Sequence, residues 1–289
     1  MPLASLSTRQ FEGAGHSDLY AKFRPVAPPS ILANILAWRQ AAPVNLAVDV
    51  GCGSGQFTRQ LPPVCTRVLA TDVSQAQVDQ ARNLLGHQEN LVIKVGSGEN
   101  IEVDDSSVDL VTVCQALHWM QVDKFYQEVE RVLVPGGTLA VIGYHFTRPS
   151  PTMSLCSPLT EAMTKVYKVT GPYWSSRRAL VDAGYTTIPL AKLGKVERYD
   201  EEHYTEVAAS LGDWSGYIQS WSGFQALAKE DPNKAKEIVE EFERTCAQLL
   251  GKKIEEKDKI ELQLRTNYWL ILYQNLKSSN NLENPFKGR

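Results

Sequence analysis

Val48-Asp49-Val50-Gly51-Cys52-Gly53-Ser54-Gly55 is the stretch on which the reading of this chain turns. It opens with the end of a short apolar run, Leu46–Val50, of the kind that fills a buried parallel strand. Three alternating glycines come next, and then Phe57–Leu61, which reads as a helix. Glycine has no Cβ, so it adopts positive φ readily and lets the backbone come within contact distance of a ligand. A helix starting there adds unpaired N–H donors. The bland alternative is an ordinary tight turn between a strand and a helix.

Working outward, Val68–Ala70, Leu91–Val95, Val108–Val113 and Thr138–Tyr144 are further short runs rich in Val, Leu and Ile. Ser74–Leu85 and Asp123–Leu133 between them read as helices, with Ser74 as a cap and Pro135-Gly136-Gly137 as the turn after the second. This alternation predicts a doubly wound α/β sheet with right-handed crossovers. Upstream, Ser30–Arg39 carries Ile31, Ile35 and Trp38 at helical spacing, with Ser30 as its N-cap. Downstream, Pro149, Pro151 and Pro158 lead to a turn at Gly171-Pro172, then to a charged helical region, Glu201–Glu256. There Leu211, Trp214, Ile218 and Trp221 form one apolar face, read as core more readily than as pocket. Glu230–Glu261 reads as solvated surface, Ile260–Tyr273 as a last strand, and Asn280–Arg289 as a loose tail.

The spacing of the glycines separates two ligand classes. A dinucleotide turn has the form G-x-G-x-x-G, whereas here the third glycine comes one residue early and Gln56 stands after it. That disfavours a nicotinamide oxidoreductase. The second strand ends at Thr71-Asp72, about 20 residues beyond the first glycine, where a carboxylate can accept both hydroxyls of a ribose. Helix-entry capping is the competing role for Asp72.

Composition sets outer bounds. The chain has 289 residues, 43% hydrophobic and 22% charged, with Lys+Arg 30 against Asp+Glu 33 and a net charge of −3. A balance this even predicts no nucleic-acid partner and no membrane anchor. No apolar run reaches the roughly 18–20 residues of a membrane span, and Met1 to Tyr20 lack the pattern of a signal peptide. Cys52, Cys65, Cys114, Cys156 and Cys246 are scattered, without a C-x-x-C, and read as reduced thiols of a cytoplasmic protein.

Asp49-Val50-Gly51-Cys52-Gly53-Ser54-Gly55 with the later Asp72, Asp109-Leu110-Val111 and Leu133-Val134-Pro135-Gly136-Gly137 resembles the class I S-adenosylmethionine (SAM) methyltransferases. The resemblance implies a Rossmann-like, mostly parallel seven-stranded sheet with a helical cap. It implies one methyltransferase domain: an N-terminal lid segment at 1–43, a SAM-binding core at 44–146, and cap plus sheet completion at 147–289. It further implies SAM as cofactor, held by Asp49, Gly51, Gly53, Gly55, Asp72, Ser97 and Gln115, with Tyr20 and Arg24 closing over its carboxylate. Tyr20-x-x-x-Arg24-Pro25, Ala116-Leu117-His118-Trp119, Gly143-Tyr144, Gly171-Pro172-Tyr173-Trp174 and Trp221-Ser222 narrow the resemblance to the trans-aconitate methyltransferase branch and its eukaryotic relatives. Ser54 stands where those relatives often carry proline, and His145–Arg148 has no clear counterpart in them.

That branch implies a small-molecule methyl acceptor, a monomer or weak homodimer, and His118, Trp119, Tyr173 and Trp174 as catalytic residues. Structural packing is the competing role for each of these and for Tyr20 and Arg24. A carboxylate acceptor needs no general base, being ionised at neutral pH, but it needs a cation; Arg148, Arg177 and Arg178 are the candidates. A hydroxyl or amine acceptor needs a base, and His118 is the best-placed histidine. The expected activity is trans-aconitate-like O-methylation. N-, S- or hydroxyl-directed transfer and a catalytically silent SAM-binding module remain the alternatives, and no metal site is expected.

Overall fold

The computed structural model describes residues 24–40, 42–188 and 194–275. Tyr20, most of the expected lid segment and the Asn280–Arg289 tail lie outside them. The described elements run α1 (Pro29–Trp38), β1 (Val44–Val50), β2 (Cys65–Asp72), α2 (Gln75–Leu85), β3 (Leu91–Val95), β4 (Val108–Cys114), α3 (Val122–Val132) and β5 (Leu133–Tyr144). They continue through β6 (Arg148–Pro149), α4 (Cys156–Thr170), α5 (Arg178–Asp182), β7 (Gly194–Ser210), α6 (Leu211–Gln219), α7 (Ser222–Glu230), α8 (Pro232–Leu249) and β8 (Glu261–Asn275). Strands hydrogen-bond in the order β3-β2-β1-β4-β5-β8-β6, with β7 pairing β8 off that path. That makes eight strands among the described residues rather than seven, the addition coming from segments the sequence reads as irregular or helical.

The chain divides into two compact units. Among the described residues, the first comprises those within 29–143 and 185–200 and those from Trp269 to Asn275. Its β1, β2, β3, β4 and β5 pair in parallel, and their apolar runs are buried because helices cover a parallel sheet on both faces. Ser74 caps α2 as expected, its hydroxyl accepting the Gln77 N–H. Arg39, buried at the end of α1, donates to the Asp109 carbonyl and to Thr138 Oγ1, while the Asp109 carboxylate accepts the N–H groups of Asn45 and Leu46. Strand order reverses between β1 and β4, which places a crevice outside their carboxyl ends.

The second unit takes in Tyr144–Gly184 and Glu201–Tyr268, together with Arg24–Pro28. Leu211, Trp214, Ile218 and Trp221 are all fully buried there, in one cluster with residues of α4, α7 and α8. The stripe is core. Trp221 is not late in a helix but caps α7, after α6 has ended.

Four expectations need correction. Glu201–Ser210 is strand, not helix: Tyr204, Thr205 and Val207 favour a pleated backbone, and the helix starts only where Ser210 and Asp213 form a capping box. Helix α4 lies in the proline-marked segment, because Pro158 falls in its first turn, where no backbone donor is needed. Pro135-Gly136-Gly137 is not a turn before β5 but a bulge within it: Val108 pairs with Leu133 and Leu110 with Thr138. Finally, the Glu230–Glu261 surface hides Glu243, which accepts from Lys257 Nζ at 2.7 and 2.8 Å and from Ser215 Oγ at 2.7 Å.

Candidate functional site

The glycine turn leaves β1 with three left-handed residues, Gly51 at φ +66°, Gly53 at +55° and Gly55 at +91°. Space enforces the choice as much as torsion. A Cβ on Gly51 would lie 2.5 Å from the Ala116 Cβ, in the loop after β4, and one on Gly55 would lie 2.5 Å from Leu85 Cδ1 of α2. Past the glycines the chain makes a single 3-10 turn, Thr58–Gln60, rather than the helix expected over Phe57–Leu61. Thr58 faces inward instead, its hydroxyl donating to Asp49.

The two aspartates of the motif are placed differently. Asp49 is 1% exposed, and its oxygens accept hydroxyls from Thr58 at 2.6 Å and Thr112 at 2.7 Å. Burial pushes its carboxyl up to about 6. Asp72 ends β2 and remains partly exposed; Oδ2 accepts the Gly53 N–H and Oδ1 the Ser74 N–H, each at 2.9 Å. Burial raises its pKa while the Ser74 and Gly53 amides oppose the shift. Each oxygen keeps a further acceptor site, which suits the two hydroxyls of a ribose. Asp72 thus ties the glycine turn shut and still has capacity for a ligand.

Beyond β3, Ser97 is already engaged. Its hydroxyl donates to the Glu99 carboxylate and accepts the Glu99 N–H at 3.2 Å, while Glu99 Oε1 accepts the Gln121 N–H at 2.8 Å. A Cβ on Gly98 would meet Val50 Cγ1 at 2.8 Å, so the loop lies against the end of β1. Gln115 extends β4, its N–H bonded to the Ile142 carbonyl, with an unusual φ of +55° for a non-glycine. His118 and Trp119 occupy a 3-10 turn just beyond, their rings 4.7 Å apart. His118 is 7% exposed, and its Nδ1 lies 2.7 Å from the Tyr185 hydroxyl.

Tyr185 is a residue that sequence reasoning missed. It is fully buried, holds φ at +59°, and stands edge-on to Trp269 at 5.7 Å. Only the preceding Gly184, itself left-handed at +57°, hints at a special backbone there.

The remaining predicted residues lie in the second unit. Arg24 Nη2 donates to the Ser220 carbonyl at 3.1 Å. Tyr173 packs partly buried against the apolar cluster. Trp174 donates to Thr170 Oγ1 at 3.1 Å and sits 5.7 Å from Tyr167 and 6.0 Å from both Phe146 and Trp221. Arg178 stacks over Phe146 and Trp174 at 4.2 and 4.9 Å and pairs with Asp182 at 2.8 Å. That cation candidate is spoken for. The predicted residues therefore assemble as two groups: the glycine turn, Asp49, Asp72, Ser97, Gln115, His118 and Trp119 in the first unit, and Arg24, Tyr173 and Trp174 in the second.

A parallel sheet with a switch point between β1 and β4, a glycine turn on one side of it and a ribose-competent acid on the next strand define a class I, Rossmann-like nucleotide-cofactor fold. Comparison with known proteins gives the chemistry. Residues 48–141 match the methyltransferase domain family. A Dictyostelium discoideum protein named as a methyltransferase is 28% identical over 229 residues, covering 79% of this chain and 82% of the relative. A Saccharomyces cerevisiae protein named as an S-adenosylmethionine-dependent methyltransferase is 23% identical over 280 residues, covering 85% and 92%. A solved structure described as a type II methyltransferase from Anaeromyxobacter dehalogenans superposes with a TM-score of 0.69 at 24% identity, over 89% of this chain and 100% of that one. The chain is an S-adenosylmethionine-dependent methyltransferase of class I fold, and S-adenosylmethionine is its cofactor.

No helix among the described residues is long and apolar enough to cross a membrane. No group of three or more His, Cys, Asp or Glu among them is placed to hold a metal ion.

Proposed function

We propose that the chain methylates a small, carboxylate-bearing molecule, forming an ester in the manner of the trans-aconitate methyltransferase branch its motifs resemble. The observation that carries this reading is the state of His118. A hydroxyl or amine acceptor needs a base open to it, and the best-placed histidine is buried with its Nδ1 taken by Tyr185. A carboxylate is ionised already.

Bound SAM supplies an electrophilic methyl group on a sulfonium. The chain's own residues then do the work of placement, which dominates a displacement of this kind. Asp72 accepts the ribose hydroxyls on the acceptor sites that Gly53 and Ser74 leave open. Gly51, Gly53 and Gly55, all left-handed, would present bare backbone to the cofactor at the strand end. Asp49 supports the turn from below through Thr58 and Thr112 and is a positioning residue. Gln115, Ser97 and the loop around Glu99 border the same strand ends. His118 and Trp119 form a packed wall beside them. Tyr173, Trp174, Tyr20 and Arg24 are assigned to acceptor and cofactor enclosure by the resemblance.

The test is to incubate the chain with SAM and a panel of di- and tricarboxylates, then treat each product with mild alkali before mass spectrometry. A methyl group that alkali releases is an ester and supports the reading. An alkali-stable methyl product, or no transfer to any carboxylate while SAM binds, rejects it. Asp72→Ala is expected to weaken SAM roughly 100- to 10,000-fold by calorimetry, the loss of two hydrogen bonds to a charged group.

A further inference from the structure

The second unit contains a cavity of about 640 Å³, walled by α4, β6 and the first half of β8, whose lining includes Arg148, one of the cations the sequence offers to a carboxylate acceptor. We propose that it binds a small anion, carboxylate or phosphate, between Arg148 and Arg265. The two arginines face each other directly in the antiparallel β6–β8 pair, Arg148 opposite Arg265 and Pro149 opposite Leu264. Directly opposed residues project from the same face of a sheet, so like charges there repel and cost stability. No ion pair cancels it: neither guanidinium is within ion-pair distance of a carboxylate among the described residues. An anion held between them converts that repulsion into two charge-assisted contacts.

Arg265 is also set in place beforehand. Its Nε donates to Asn267 Oδ1 at 2.8 Å, and its guanidinium lies 3.6 Å from the centre of the Tyr204 ring. With the inner nitrogen and one face fixed, the two terminal nitrogens remain as a fork, the geometry that matches a carboxylate or phosphate. The opposite wall is polar too. Ser157 and Thr160 line the cavity one helical turn apart on α4, giving hydroxyl donors. Glu161 shares that wall, so these three charged groups leave one net positive charge, and its carboxylate favours a ligand that also carries a hydroxyl.

This proposal does not depend on the acceptor being a carboxylate. Its residues are separate from those assigned to the cofactor, so either reading can fail alone. The test uses the full chain, titrated calorimetrically at low ionic strength with inorganic phosphate and with citrate, as native protein, Arg148→Gln and Arg265→Gln. Native protein is expected to bind at least one probe, with affinity falling roughly 10-fold or more in each variant and weakening with added salt. SAM affinity should stay unchanged in both variants. Binding of phosphate alone assigns a phosphate site, and binding of citrate alone a carboxylate site. No binding of either probe, or binding that survives both substitutions, overturns the proposal. Should a variant fold poorly, native protein answers by itself: phenylglyoxal labelling of Arg148 and Arg265, mapped by mass spectrometry, must be suppressed by the bound probe. Equal labelling with and without it also overturns the site.

Discussion

Asp49 and Asp72 end neighbouring strands, and one atomic difference separates their tasks. Both oxygens of Asp72 meet backbone amides at the edge of the turn, whereas both oxygens of Asp49 meet threonine hydroxyls in the interior. The place of Asp72, at the end of the strand beside the glycine turn, was legible in its spacing from the glycines. The role of Asp49 was not, because Thr112 is 63 positions away and only β1–β4 pairing brings it near. Its burial has a measurable consequence. The carboxyl moves from its usual 3.8 to about 6 on folding, so between those values the native state holds a proton the unfolded chain has lost. Native stability from this group is present below the unfolded pKa and is lost as pH rises through about 6, by about 3 kcal/mol. Asp49→Asn removes that titration. Urea unfolding at a series of pH values should show wild type losing stability relative to the variant on going from about pH 4 to about pH 8. A difference that is flat with pH would mean the carboxyl is not buried as described.

At the scale of elements, Gly143 near the end of β5 shows how strands are seated by a single missing atom. A Cβ there would stand 2.1 Å from Cζ2 of Trp269 on β8. Trp269 in turn carries Tyr185, whose hydroxyl reaches His118. Gly143→Ala is expected to destabilise the chain by about 1–3 kcal/mol through overpacking and to alter the near-ultraviolet circular dichroism of these aromatic rings. A variant as stable as wild type, with an unchanged spectrum, would remove Trp269 from that position. The sequence revealed Gly143 only as part of a motif, since its neighbour across the sheet lies far along the chain. The 3-10 turn at Thr58–Gln60 escaped it for a related reason: Thr58 is drawn inward by Asp49, and that bond is tertiary. Helix α4 was hidden by prolines that its first turn tolerates.

For the whole molecule, the glycine turn, Asp72 and Ser97 fall in the first unit, and the aromatic cluster of α4, α6 and α7 falls in the second. Cofactor binding should therefore be local in its effect on exchange. At about 100 times its dissociation constant, SAM stabilises the folded chain by roughly 2.7 kcal/mol. Amide hydrogen exchange should then slow at Gly51–Gly55, Asp72–Ser74 and Gly96–Gly98. Unchanged exchange in those loops, with SAM bound, would place the cofactor elsewhere and dismiss the roles given to Asp72 and the glycines.

Periodicity and glycine spacing by themselves determined the parallel strands β1 to β5, the helices α2 and α3, and the glycine turn with Asp72 beyond it, while the cofactor class came from the family resemblance those motifs carry. These are local features: a strand's apolar run and a turn's need for positive φ are written within a few residues. Only tertiary structure decided that Asp49 is a buried support, that His118 is held by Tyr185, and that Arg148 and Arg265 stand opposite each other on one wall of a cavity. Each of those depends on separated residues meeting through sheet pairing and core packing, as His118 and Tyr185 do from 67 positions apart. No local pattern encodes which partners will meet.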